Sequence, residues 1–141
     1  MVEKQTTLKS DKIMLICDYR EREIIEILKK MGVVVNEMDL ECGDFICSKE
    51  VAIERKSYDD FISSIIDGRI FEQASELKKN FERPIIVIEG FSTRKINENS
   101  LKGAIASLLI DFGMSLVSTR NPLDTAKTIY WIARKEQEEK K

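Results

Sequence analysis

The sequence predicts an α/β fold, a mixed central β-sheet flanked by helices, and three observations carry that expectation. Two continuous apolar runs, Ile13-Met14-Leu15-Ile16-Cys17 and Ile85-Ile86-Val87-Ile88, have the length and composition of strands buried on both faces. Each run stops at an acid, Asp18 or Glu89, and helical periodicity follows. Between them, two short apolar stretches flank a polar Ser48-Lys49-Glu50, the spacing of a hairpin with a three-residue loop.

At 141 residues the chain fits one domain able to bury a core. The expected organisation is a flexible N-terminal arm over residues 1–11, a single domain over 12–135, and a charged tail or linker over 136–141. No apolar run approaches the ~20 residues of a membrane span, and no signal-peptide pattern opens the chain, which predicts a soluble intracellular protein. The three cysteines form no Cys-x-x-Cys and read as reduced structural residues. Histidine is absent, which removes Ser-His triads, Cys-His dyads and the common zinc sites together. Acid–base chemistry therefore falls to carboxylates, lysine and metal-bound water. The formal charge of −2 argues against strong DNA binding by the chain alone, since phosphate affinity grows with the number of cations presented.

After the first strand, Asp18 stands where an open α/β sheet binds ligands, although it also suits the cap of the next helix. Ile24, Ile25, Leu28 and Met31 then repeat at helical spacing, and Gly32 supplies a left-handed stop. Val33-Val34-Val35 begins a β-branched strand. Ser57 with Asp60 three residues on forms a capping box for a helix carrying Phe61, Ile62, Ile65 and Ile66. A second helix starts near Arg69, with Ile70, Ala74, Leu77 and Phe81 on one side and Gln73 a turn beyond Arg69. Past the Ile85 run, residues 95–100 read as a mobile polar connection, followed by a helical stripe of Leu101, Ala104, Ile105, Leu108, Leu109 and Phe112. A last strand over 114–119 leads to Asn121-Pro122, a helix start with proline in its first turn. In that final helix, Ile129, Tyr130, Trp131, Ile132 and Ala133 cover more than one face, leaving apolar surface for a partner.

The hairpin at residues 43–60 carries the chemistry. A three-residue loop places Cys47 opposite Val51, Phe45 opposite Ile53, and Asp44 opposite Glu54. Phe45, Cys47, Val51 and Ile53 then share the buried face, and Asp44, Glu54 and Lys56 the other. Facing residues on paired strands have Cβ atoms roughly 4.5–5.5 Å apart. Two carboxylates there repel unless one takes a proton or a cation lies between them. Oxygen ligands of this kind suit Mg²⁺ or Mn²⁺ rather than zinc. No glycine-rich phosphate loop follows the first strand, where Asp18-Tyr19-Arg20 stands instead, so nucleotide binding is not expected.

Asp44, then ten residues later Glu54-x-Lys56, resembles the PD-(D/E)xK nuclease core. The longer pattern, Gly43-Asp44, Glu54-Arg55-Lys56 and Asp60, is similar to the Gly-Asp…Glu-Arg-Lys-x-x-x-Asp motif of the XPF/Hef family of structure-specific DNA endonucleases. The resemblance spans residues 13–133 and implies a restriction-endonuclease-like core that cuts one strand of branched DNA. It implies that Asp18 joins Asp44 and Glu54 as a metal ligand, with Glu89 in support and with Arg20 and Glu21 supporting Asp18. Lys56 would orient the attacking water or neutralise developing charge, and Arg55 would brace the loop or reach phosphate. Asp60 keeps two readings, helix cap and catalytic group. Arg69 and Gln73, in a Gly-Arg…Gln segment, would reach toward the site and the DNA. The family also implies homodimerisation through the last helix, and helix-hairpin-helix or helicase domains in a longer protein. Two alternatives share these residues: a Holliday-junction resolvase with the same core, and a non-catalytic scaffold that only binds DNA or a partner.

Overall fold

The computed structural model describes residues 12–138, so the expected N-terminal arm and the last three residues lie outside the described residues. Six strands form one sheet: β1 (Met14–Asp18), β2 (Val34–Met38), β3 (Phe45–Ile46), β4 (Val51–Ser57), β5 (Arg83–Glu89) and β6 (Ser115–Thr119). Their order is β2-β1-β3-β4-β5-β6. β3 is antiparallel to both neighbours, and the β1–β2, β4–β5 and β5–β6 pairs are parallel. This mixed sheet is the expected one. Among the described residues five helices flank the strands: α1 (Arg22–Lys30), α2 (Tyr58–Ile66), α3 (Arg69–Asn80), α4 (Glu98–Ile110) and α5 (Pro122–Gln137).

The period-two alternation of the strands divides the core into two layers. On one face, Leu15 and Cys17 of β1, the hairpin residues Phe45, Val51 and Ile53, and Val87 pack under α1 and α5. On the other, Ile86 and Ile88 meet Phe61 of α2, Ile70 and Leu77 of α3, and Leu108 of α4. Among the described residues no helix is long and apolar enough to cross a membrane.

Helix boundaries follow local capping. Ser57 Oγ accepts the Asp60 N–H at 3.1 Å at the start of α2, and Asn121 Oδ1 accepts the Asp124 N–H at 2.8 Å at the start of α5. α4 begins at Glu98, within the stretch expected to be a loop, because Asn97 Oδ1 takes the Ser100 N–H at 3.1 Å.

Three further expectations need correction. The first apolar run is covered on one face only: Met14 is 60% exposed and Ile16 half-buried, because α2, α3 and α4 lie over β4–β6 and leave the β1–β2 end of that face open. The last helix runs through Gln137, past the expected boundary at 135. Glu136 there accepts from Ser48 Oγ at 2.6 Å, and the Gln137 amide bonds the backbone of Met14 and Cys47. Within the same helix, Ile129 and Ala133 are fully buried against the sheet and Tyr130 is partly buried, so of the residues expected at a partner surface Trp131 alone is exposed.

Candidate active site

The parallel strands β1, β4 and β5 all end on one edge of the sheet, and β3, running the opposite way, begins there. That single reversal brings Asp44 to the edge where Asp18, Lys56 and Glu89 emerge. Gly43, at φ 80°, makes the turn before it, a conformation that a side chain rarely tolerates. Asp44 is then held on both sides: its N–H donates to Ile53 O at 2.9 Å, and its carbonyl accepts the Asp18 N–H at 2.8 Å. β3 and β4 pair Phe45 with Ile53 and Ile46 with Ala52, the register expected from the alternation, so Asp44 lies opposite Glu54. Arg55 N–H donates to Asp44 Oδ2 at 2.7 Å.

The electrostatics of this pair are unusual. Burial, and then the Glu54 charge, push the Asp44 carboxyl up to about 7 against the single backbone N–H that opposes them. Burial also raises Glu54, with only Lys56 acting in the other direction. Neither the Glu54 carboxylate nor the Lys56 ammonium makes a hydrogen bond or ion pair among the described residues. The donor set fits a hard divalent cation: facing oxygen ligands with most lone pairs unused, and no nitrogen or thiolate among them. Among the described residues no group of three or more acidic or thiol side chains converges as a metal cage. Asp44 and Glu54 are the facing carboxylates that could hold such an ion, with water and phosphate oxygens completing its shell.

The next residue serves the opposite face. Arg55 Nε and Nη2 grip both Glu89 oxygens at 2.9 and 2.8 Å, and Nη1 reaches Glu21 Oε1 at 2.9 Å. Thr125 Oγ1 donates to Glu89 Oε1 at 2.6 Å and shares a second hydrogen bond with Thr119 Oγ1 at 2.6 Å. Burial works to raise Glu89, but these donors outweigh it and hold the carboxyl below its usual range. Glu89 is thus a member of the clamp and is not placed to support a metal at Asp44. The Glu21 carboxylate likewise pairs with Arg55, while its backbone N–H donates to the Asp18 carbonyl at 3.0 Å.

Asp18 is spoken for as well. Its oxygens accept from Arg20 Nε and Nη2 at 2.9 and 3.0 Å and from the Arg20 and Leu40 N–H groups at 3.1 and 3.0 Å. The Arg20 guanidinium is the chief reason its carboxyl falls to about 2. The β1–β3 register continues to Asp18 opposite Asp44, and the Asp18 charge adds to the rise of that carboxyl, while Arg20 holds the Asp18 side chain and also reaches Asp39 at 3.0 Å. Asp60 is exposed, with its backbone N–H taken by the Ser57 cap. Arg69 is exposed and pairs with its neighbour Asp67 at 2.8 Å. Gln73 is different, because its Oε1 is buried without a hydrogen-bond partner among the described residues. Sequence reasoning missed Thr119 and Thr125, which no motif marks; their only signal is contact with Glu89.

Comparison with known proteins bears on this arrangement. The sequence profile of the ERCC4 domain matches residues 17–132. A Methanocaldococcus jannaschii protein named as an ATP-dependent RNA helicase is 41% identical over 125 residues, covering 89% of this chain and 16% of that protein. The 3'-flap repair endonuclease Xpf of Saccharolobus solfataricus is 35% identical over 131 residues, covering 89% of this chain and 56% of the relative. The chain thus spans about half of one curated relative and a small part of the other. Among solved structures, XPF from Aeropyrum pernix in complex with DNA superposes with a TM-score of 0.80 at 36% identity, over 88% of this chain and 64% of that one.

Proposed function

Because the chain belongs to the ERCC4 domain family, we propose that it is the catalytic domain of a metal-dependent endonuclease that cuts one strand of branched DNA at forks, flaps or splayed ends. The observation that carries this reading is the Asp44–Glu54 pair, buried face to face beside a lysine that makes no hydrogen bond or ion pair among the described residues. A scaffold has no physical use for such repulsion. When bound there, Mg²⁺ or Mn²⁺ supplies polarisation of the scissile phosphate and a more acidic water at neutral pH.

The chain's own groups do the rest. Asp44 and Glu54 would hold the ion at a strand end that Arg55 anchors from the opposite face. The Lys56 ammonium, on the same side as Glu54, donates to phosphoryl oxygen as negative charge grows or orients the attacking water. Gln73 Oε1 is an acceptor that substrate or water satisfies. Asp18, opposite Asp44 and steadied by Arg20, is the further carboxylate within reach of the ion.

With a net charge of −2, grip on the DNA comes largely from elsewhere, either from further domains of a longer protein or from a second copy. The second copy is supported by Leu109 and Ile110 of α4 and Leu123 and Trp131 of α5, all exposed. Trp131 also borders a groove of about 700 Å³ lined by Ile85, Ser115, Thr128 and Ile132. Sedimentation should show a homodimer that Trp131→Glu disrupts. The protein would work inside the cell, where its DNA is.

The decisive experiment is cleavage of labelled forks, 3' flaps and four-way junctions in Mg²⁺ or Mn²⁺ by the intact chain and by Asp44→Asn. Loss of at least ~10³-fold with the fold retained is expected. A folded variant that still cuts overturns the site. A preference for four-way junctions would favour a resolvase, whereas the relative named for 3' flaps supports flap cleavage.

A further inference from the structure

Strand β5 ends at Glu89 in the Arg55 clamp, and the chain leaves the sheet edge through Gly90 and Phe91. Gly90 has φ 85° and donates its N–H to the Thr119 carbonyl at 2.8 Å, which fastens this corner to β6. On the far side of Phe91, Ser92 Oγ bonds Asp59 in the first turn of α2 and accepts the Arg94 N–H at 3.0 Å, and the Arg94 guanidinium reaches Ser63 Oγ. The loop is tied down on both sides of Phe91. Even so, the ring itself is 85% exposed.

The other exposed aromatics are engaged. Tyr19 has the Arg20 guanidinium over its ring at 5.2 Å, and Trp131 has Arg134 at 5.2 Å on one side and the Tyr130 ring against it. Among the described residues, Phe91 is the exposed aromatic with neither ring nor guanidinium upon it. A phenylalanine held in water by a braced loop adds nothing to folding that a polar residue would not supply. Its position is specific, because Asp59, the anchor of Ser92, is three residues beyond Lys56. The same loop carries Arg94 and Lys95, both exposed. A bare π-face flanked by cations, at the rim of a phosphodiester site, is the combination that holds an unpaired base by its face and its strand by the phosphates.

Building on the nuclease reading above, we infer that Phe91 stacks on an unpaired base in the single-stranded arm of the substrate, with Arg94 and Lys95 on the adjoining phosphates. This makes the 90–95 loop a reader of the branch. In continuous duplex each base face is covered by its neighbour, so the ring has nothing to stack on and gives no advantage.

The test uses the full chain carrying Asp44→Asn, which leaves DNA uncut, titrated against a fork bearing 2-aminopurine at the first unpaired position. Stacking should quench the probe. Adding Phe91→Ala should abolish the quenching and weaken fork binding between about fivefold and a hundredfold, while Phe91→Trp retains both and duplex binding is unchanged. In the chain with Asp44 intact, Phe91→Ala should raise KM on forks more than it lowers kcat. Quenching and affinity unaltered by Phe91→Ala overturn the inference and leave the nuclease reading intact. Equal losses on fork and duplex, or a change of oligomeric state in sedimentation, overturn it by assigning the ring to general binding or to a protein contact. Failure of the unaltered chain to bind or cut any branched DNA removes the reading on which the inference rests.

Discussion

Glu54 and Arg55 are neighbours in sequence on opposite faces of β4, and the two faces treat buried charge in opposite ways. Around Arg55 every strong group has found its complement: two carboxylates on the guanidinium, a threonine on one of them, and a second threonine behind it. Around Asp44 and Glu54, one backbone N–H reaches Asp44 and none reaches Glu54, and Lys56 acts on Glu54 by its charge without a hydrogen bond to it. Satisfied polar clusters fix a strand end, whereas an unsatisfied one keeps its free energy for a ligand. The strand uses its paired face to hold its unpaired face in place.

The largest expected effect breaks the paired face. Arg55→Ala leaves Glu21 and Glu89 facing each other, both more than four-fifths buried, without a counter-charge. Loss of one partner from such a cluster costs about 3–5 kcal/mol, a large part of the stability of a domain this size. Urea unfolding at pH 7 should show it. Glu89→Gln, added to Arg55→Ala, should recover part of the loss, because it removes one of the stranded charges.

Two aspartates sharpen the contrast, since the same substitution should act with opposite sign on each. The Asp44 carboxyl is raised to about 7, so the folded protein binds a proton that the unfolded chain has released above its ordinary value near 4. Its stabilising share is complete below about pH 4 and is lost as pH rises to 7. Asp44→Asn should therefore leave stability unchanged near pH 4 and raise it by about 1–3 kcal/mol at pH 8. Mg²⁺ should raise the melting temperature of the original chain and not of the variant. Asp18 is held at about 2, and its contribution is present above about pH 4 and fades as pH falls toward 2. Asp18→Asn should destabilise at pH 7 by about 1–3 kcal/mol through weakened charged hydrogen bonds. If Asp18→Asn instead stabilised the metal-free protein, Asp18 would belong with the unpaired face.

How much of this was legible differs between the faces. The hairpin register, the Asp44–Glu54 opposition and the Ser57 cap depend on alternation and on contacts within a few residues, which a sequence displays. The allocation of acids at the sheet edge is not local. Asp18 turns to Arg20, and Glu21 to Arg55, according to the direction in which the chain leaves β1, and the motif is the same for either pairing. Coverage of β1 is equally silent, because an apolar run reads alike whether helices roof one face or both. The early start of α4 was present in Asn97, but residues 98–100 carry no apolar repeat to announce a helix.

Thr125 offers the smallest and most specific test, because it joins the clamp to the helix that carries Trp131. Its hydroxyl donates to Glu89 and meets Thr119 within a fully buried pocket at the first turn of α5. Thr125→Val keeps the shape and removes the hydroxyl, leaving Thr119 with a buried hydroxyl short of a partner. A loss of about 1–2 kcal/mol in urea unfolding is expected. Because burial then acts on Glu89 with one donor fewer, its carboxyl should titrate higher, readable by NMR. A structural role alone predicts the stability loss without change in cleavage. If Thr125 also keeps Glu89 oriented on Arg55, kcat on a fork should fall severalfold with KM unchanged, and Thr125→Ser should restore it, since serine returns the hydroxyl.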